Sequence, residues 1–227
     1  MHPGQTARTA ALVAAALVVA SALGYWGVSA YRKSQLQNAV TALVKNTSER
    51  LQAALAIETG MAPADQTVDK LDDHAQEVYR HVIELRGMSA SPNRALVDAA
   101  EEYMLTVRQI LRNQAASHRY RIQVSASDRA LRDHMRSAKR RSGSWIQEAV
   151  RAKDRLEKDY FDYRLSAEAL SRLLESYPEA RKKLAAHIGG VLLADETTAA
   201  NARRRALDSA RRLADEVERA RHLAAVR

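Results

Sequence analysis

The most regular feature of the sequence is a repeated spacing of apolar residues in two segments. Apolar side chains recur at alternating intervals of three and four residues in the first segment, at Val68, Leu71, Ala75, Val78, Val82 and Leu85. The second segment, near the C-terminus, repeats the rhythm at Ala206, Ala210, Leu213, Val217, Ala220 and Ala224. This spacing places the side chains on one helical face, as in coiled coils and packed helices. The pattern predicts two helices that pack along these faces.

Weaker apolar stripes predict three more helical segments. A segment beginning after Arg32 carries a stripe at Leu36, Val40, Leu43, Leu51, Ala54 and Ile57. A central segment carries Leu96, Ala100, Tyr103, Val107 and Ile110, and no glycine or proline follows Pro92 before Arg141. A break near residues 125–127 is the alternative to one long helix there. The next segment holds Ile146, Val150, Leu156, Tyr160, Leu170, Leu173 and Leu174.

Polar residues and helix breakers mark where these helices begin and end. Asp65 is suited to cap the first heptad helix, and Gly87 to end it. Ser91-Pro92 is typical of a helix start, and Ser144 with Gln147 has the spacing of a capping box. With 8 glycines and 4 prolines in 227 residues, breakers are few. We therefore predict an all-α fold, an elongated antiparallel bundle resembling a coiled coil.

An uncharged apolar stretch at residues 9–31 predicts a transmembrane helix that continues into the bundle. Its 23 residues would span about 34 Å as a helix, enough to cross a bilayer core of about 30 Å. Arg8 and Arg32 border it, and Tyr25, Trp26 and Tyr31 gather at the second border, where aromatic rings favour the headgroups. The predicted parts are a tail at 1–8, a signal anchor at 9–31, a helical stalk and turn at 32–62, and a bundle at 63–227.

Two points about this segment stay open. Cleavage after Ala22 is the alternative, since Ala20-Ser21-Ala22 fits the rule for signal peptidase sites. The basic residues after the span favour a cytoplasmic bundle, whereas the short N-terminal tail is typical of a signal anchor that places the bundle outside. We predict a single-pass protein of a bacterial inner membrane, with an extracytoplasmic (periplasmic) bundle. Small residues at Ala16, Ala20 and Gly24 form a candidate transmembrane dimer face.

The residues that carry enzyme chemistry do not form a known pattern. There is no cysteine, and neither the phosphate-binding glycine motifs nor the H-E-x-x-H zinc motif occurs. His74, Glu77 and His81 would share one helical face, but we interpret them as solvated flank positions rather than a metal site. Aromatic residues at Tyr160, Phe161, Tyr163 and Tyr177 are interpreted as core. The prediction is a non-enzymatic protein without cofactor or metal.

Charge is distributed unevenly along the chain. Residues 63–107 hold nine acidic and four basic side chains, whereas residues 116–143 hold eight basic and two acidic ones. Facing acidic and basic helices within the bundle would explain this balance, and so would a docking surface for an acidic partner. The candidate docking surface consists of Arg129, Arg132, Arg136, Lys139, Arg140 and Arg141. We do not predict nucleic acid as the partner of this surface, because no recognition motif accompanies these cations.

These observations predict a membrane-anchored helical interaction module. It would act as a scaffold, an assembly factor or the sensory subunit of an envelope complex. Its predicted partners are the membrane and one or more proteins, among which a second copy of the same chain is an option. The alternative is a cytoplasm-facing basic tether that binds anionic lipid or nucleic acid.

Overall fold

The structure, a computed structural model, describes the backbone of residues 3–57, 64–88, 93–137, 142–190 and 192–225. Side chains are described for residues 28–57, 65–88, 93–137, 142–190 and 192–222. Within these residues the chain forms five α-helices and no strand, which confirms the predicted all-α fold. The helices are α1 (Pro3–Leu55), α2 (Ala64–Gly87), α3 (Arg94–Arg136), α4 (Gly143–Ile188) and α5 (Glu196–Ala225).

The long helices α3 and α4 form a central antiparallel pair. Tyr103 contacts Tyr177 at one end of this pair, and His134 stacks on Trp145 at the other. Helix α2 packs on α3, α5 packs on α4, and α1 contacts α2, α3 and α5. We call the end at which α3 ends and α4 begins the distal end, and the opposite end proximal. Since α1 runs parallel to α3, its N-terminal part points away from the distal end.

The proximal half of the bundle contains the larger hydrophobic core. All six residues of the α2 heptad stripe and all five of the α3 stripe are buried. Val40, Leu43, Leu51 and Ala54 of α1 join the same core, with α4 residues such as Leu174. The predicted stripes are therefore correct in all three helices, and the C-terminal part of α1 belongs to the bundle.

A buried chain of hydroxyl groups crosses the proximal core. Tyr177 donates a hydrogen bond to the carbonyl oxygen of Ala194 at 2.8 Å, and its hydroxyl lies 3.3 Å from that of Tyr103. Tyr103 lies 2.8 Å from the Ser48 hydroxyl. Because the Tyr177 proton is engaged with Ala194, Tyr103 donates to Tyr177 and Ser48 to Tyr103. The chain joins α1, α3, α4 and the segment before α5.

The distal half is a three-helix bundle with a smaller core. Its buried apolar residues come from α3, α4 and α5: Val124, Leu131, Leu156, Tyr163, Val217 and Ala220. The C-terminal heptad stripe is thus buried at Val217 and Ala220, and half-buried at Ala206, Ala210 and Leu213. Ala224 lies outside the described side chains. Three of the five described stripe positions are alanines. Their small side chains let α5 approach α4 closely, but they bury little apolar area.

Helix α3 is continuous through the segment where a break was the alternative. Its 43 residues extend over about 64 Å, so the bundle is elongated. The Ser127 side chain is buried and donates a hydrogen bond to the Asp159 carboxylate on α4. Ser127 therefore serves a contact between helices instead of ending one.

The helix ends differ from the sequence-based assignment in two places. Asp65 lies in the first turn of α2, where its charge complements the helix dipole, so the prediction of a cap there was wrong. Helix α4 starts earlier than predicted, with Ser142 as its N-cap accepting from the Trp145 amide at 3.3 Å. At its other end, Gly189 has a φ of 81°, which glycine adopts without strain. The predicted start at Ser91-Pro92 lies outside the described residues.

Part of the predicted α4 core is exposed. Tyr163 and Tyr177 are buried as expected, but Phe161 is 55% exposed. Ile146 and Val150 are also more than half exposed. The prediction was wrong for these three residues, because α3 and α5 cover the opposite side of α4 at this level.

The predicted anchor forms part of α1, which continues unbroken past Arg32 into the bundle. Side chains of its residues 9–27 lie outside those described, and so does the candidate dimer face at Ala16, Ala20 and Gly24. None of the helices is long and apolar enough to cross a membrane as far as the described residues extend. The anchor stays a prediction.

Candidate functional site

A concave groove lies between α3 and α5 in the distal half. Both helices pack closely on α4 but only loosely on each other, which leaves a trough of about 630 Å³ open to solvent. Val124, Leu213 and Val217 supply its apolar lining. We call this feature the distal groove.

The basic residues predicted to dock a partner line this groove. Arg129, Arg132 and Arg136 follow one another at intervals of three and four on α3, and all three are exposed. Arg132 pairs with Asp128 on the same helix at 2.9 Å. Arg129 and Arg136 have no ion pair among the described residues. The remaining predicted positions, Lys139, Arg140 and Arg141, lie outside the described residues.

Acidic side chains interrupt the basic surface. Asp128 and Asp133 lie between the arginines of α3, and Glu216 with Arg219 comes from α5. Asp133 and Glu216 also have no ion pair in the part of the chain that the structure describes. Counting charges along the sequence missed this mixture, since Glu216 is more than seventy residues away and meets α3 only in the tertiary structure. The groove therefore presents charges of both signs, without ion pairs among the described residues, beside an apolar floor.

Polar contacts between helices hold the groove in shape. Arg221 of α5 donates to Glu157 of α4 at 2.9 Å, and Tyr163 donates to the Ser209 hydroxyl at 3.0 Å. At the distal tip the His134 ring stacks on Trp145 with ring centroids 4.8 Å apart. An indole nitrogen donates there to the Ser137 hydroxyl at 3.1 Å. These contacts hold the end of α3 against the start of α4 and α5 against α4, so the groove is preformed.

The histidine cluster on α2 is occupied by a guanidinium. Arg50 of α1 forms an ion pair with Glu77 and lies 3.0 Å from Nδ1 of His74. His81 is hydrogen-bonded to Thr47 at 3.2 Å. Burial lowers the pKa of both histidines, and the Arg50 charge lowers it further. Among the described residues, no group of three or more histidine or carboxylate side chains is arranged to hold a metal ion.

Few ion pairs join the acidic and basic stretches among the described residues. Arg119 of α3 pairs with Asp72 of α2, which joins the basic stretch to the acidic one. The acidic α2 otherwise finds cations elsewhere, as in the pair of Glu77 with Arg50 of α1. Internal pairing therefore accounts for some of the charge, but among the described residues it leaves Arg129 and Arg136 of the distal groove without an ion pair.

No protein-family model, curated protein or solved structure matches this chain.

Proposed function

We propose that this protein is a non-enzymatic, single-pass membrane protein whose helical bundle docks a protein partner. It would serve as a scaffold, an assembly factor or the sensory subunit of an envelope complex. The observation that carries this proposal is the continuity of α1, a single helix from Pro3 to Leu55 whose last part is buried in the proximal core. A helix that is at once the predicted anchor and a core element would fix the bundle relative to the membrane.

The geometry supports a role in presenting a surface at a distance. From Arg32 to Leu55, α1 rises about 36 Å, and α3 continues about 33 Å beyond that level to Arg136. The distal groove would therefore lie about 50–70 Å from the membrane end of the bundle. An elongated bundle with a preformed groove at its far end is suited to reach a partner that does not itself contact the membrane.

The charges in the groove favour a protein over a polyanion. Asp128, Asp133 and Glu216 would repel phosphate groups, whereas nucleic-acid binding rests on a surface that neutralises several phosphates together. Mixed charges beside an apolar floor are common at protein interfaces, where complementary charges set the orientation of the partner. We therefore assign the groove to a protein segment that carries both apolar and charged residues.

The side of the membrane on which the bundle lies separates this proposal from the alternative. We expect a C-terminal fusion to a phosphatase that folds only in the periplasm to be active, because a signal anchor with a short N-terminal tail exports the domain on its C-terminal side. A fluorescent fusion that matures only in the cytoplasm is expected to stay dark. The opposite pair of results would support the cytoplasmic tether that binds anionic lipid or nucleic acid.

Docking in the distal groove predicts a charge-dependent interaction. Full-length protein with Arg129→Glu and Arg136→Glu is expected to lose most of its cross-linking to the partner in native membranes, by about tenfold or more, because two unpaired cations of the groove are reversed. Cross-linking from a photoreactive residue at position 213 would measure this. Circular dichroism should stay unchanged, since both arginines are exposed.

A control variant separates the surface from net charge. Arg112→Glu with Arg151→Glu changes the charge equally at exposed positions outside the groove, and is expected to cross-link normally. Equal cross-linking by the groove variant and wild type would contradict docking there. A cross-link between two copies of this chain would identify the partner as a second copy of the protein.

A further inference from the structure

A small cavity lies just past the end of α1. Over its last turns α1 lies against both α3 and α5, and it stops at Leu55. Beyond Leu55, no described helix takes the place of α1 beside α3, α4 and α5. A partly open cavity of about 80 Å³ remains there. Leu55, Leu170, Leu174 and Ala206 form its apolar wall. We call it the α1-end cavity.

The charged groups among the described residues that line the cavity are cationic. Arg121 of α3 and Arg205 of α5 contribute guanidinium groups, and no carboxylate is among the described lining residues. Arg205 also donates to the carbonyl oxygen of Leu55 at 2.5 Å and so caps α1. Neither arginine has an ion pair among the described residues. Two such cations beside an apolar wall are suited to a small organic anion.

A buried amide in the cavity wall indicates that the ligand also carries a hydrogen-bond donor. Gln114 is 9% exposed, and its Nε2 donates to the carbonyl oxygen of Ala54 at 2.8 Å. That bond orients the amide, yet its Oε1 has no hydrogen-bond partner among the described residues. A buried acceptor without a donor costs free energy, so a ligand that supplies a hydroxyl proton would gain from meeting it.

Three other polar side chains at this cavity, those of His118, Tyr163 and Ser209, can donate or accept hydrogen bonds without carrying charge. Burial lowers the pKa of His118, and the Arg121 charge lowers it further, which favours the uncharged ring. Tyr163 and Ser209 are hydrogen-bonded to each other at the rim. The positive charge of the cavity therefore comes from the two arginines alone, as far as the described lining residues extend.

The volume limits the size of the ligand. A cavity of about 150 Å³ holds benzene, and this one has about half that volume with one side open. A molecule of about five non-hydrogen atoms fits if one end lies in the opening. We propose that the α1-end cavity binds a hydroxycarboxylate of two or three carbons. Arg121 and Arg205 hold its carboxylate, and its hydroxyl donates to Oε1 of Gln114.

This site does not depend on the membrane or on a docking partner, so it goes beyond the proposed function. Its occupant touches the last turn of α1 and adds a contact to the element that joins the predicted anchor to the bundle. Ligand binding is therefore expected to stabilise the folded protein and raise its melting temperature.

Calorimetric titration of the detergent-solubilised full chain tests the proposal with three probes. Glycolate carries both features, acetate lacks the hydroxyl, and glycolamide lacks the charge. We expect glycolate to bind in the micromolar to millimolar range, acetate about fivefold or more weakly than glycolate, and glycolamide not measurably. Equal affinity for glycolate and acetate would overturn the role of Gln114, and absence of binding at millimolar glycolate would overturn the site.

Variants locate the binding. Arg121→Gln is expected to weaken glycolate binding about tenfold, and Ala206→Leu, which fills the cavity, to abolish it. Arg112→Gln is the matched control on the same helix, exposed and without an ion pair among the described residues. Melting curves show which variants fold. If folded Arg121→Gln and Ala206→Leu proteins both bind glycolate like wild type, the ligand lies elsewhere and the proposal fails.

Discussion

Replacement of Val44 by aspartate is expected to lower the free energy of unfolding by about 4 kcal/mol or more. Val44 is fully buried in the proximal core, between α1 and the helices that surround it. An ionised carboxylate there would lose its hydration without gaining a partner, and a neutral one would still leave a polar group among apolar side chains. Urea denaturation of the detergent-solubilised protein, followed by circular dichroism, measures the loss.

Ala42→Asp provides the control, because it adds the same charge to an exposed face of α1 two residues away. Its effect is expected to stay within about 0.5 kcal/mol. Unchanged stability of the Val44→Asp protein would mean that α1 is not part of the core. The proposed function would then lose its carrying observation, since a helix that does not pack into the bundle cannot fix it relative to a membrane.

Truncation of Tyr177 to alanine is expected to lower the free energy of unfolding by about 3–5 kcal/mol. The change empties a fully buried aromatic site and removes the central link in the hydroxyl chain from Ser48 to Ala194. Tyr177→Phe keeps the ring and deletes only the hydroxyl, so a loss of about 1–3 kcal/mol is expected from the unsatisfied partners. Denaturant titration of both variants separates packing from hydrogen bonding.

The two Tyr177 variants also differ from wild type in their pH dependence. Burial raises the pKa of Tyr177, so the folded protein keeps this phenol protonated. The resulting stabilisation is present below the ordinary tyrosine pKa of about 10 and is lost as the pH rises above it. Wild type should therefore lose more stability between about pH 9 and 11 than Tyr177→Phe. Tyr79→Phe, at a partly exposed tyrosine, should behave like wild type, and an identical loss in all three would contradict this account.

The periodic positions could be predicted from sequence because helical periodicity is a local property. The α2 stripe from Val68 to Leu85 contains a buried residue at every predicted position, and so does the α3 stripe from Leu96 to Ile110. In both, apolar residues recur at the helical period, and a helix that buries one face must place those residues inward. The same reasoning failed for Ile146 and Val150, since α4 has described neighbours on one side only in the distal half.

The candidate sites could be predicted only in part. Arg129, Arg132 and Arg136 were identified as a basic surface from their spacing on one helix, but the groove also needs Glu216 from α5. The histidine pair on α2 was found in the sequence, whereas Arg50, which occupies the space beside it, comes from α1. No pattern in the sequence indicated the α1-end cavity. Its lining comes from all the helices except α2 and exists because α1 stops at Leu55.

The sequence by itself therefore determined the all-helical class, the continuity of the apolar N-terminal segment with the bundle, and the inward faces of α2 and α3. These follow from residue propensity and from periods of three and four residues, which are physical properties of a single helix. Only the tertiary structure decided which helix ends adjoin, which charges stay unpaired among the described residues and where the packing leaves space. Those depend on residues far apart in sequence, such as Gln114 and Arg205, being brought to the end of the same helix.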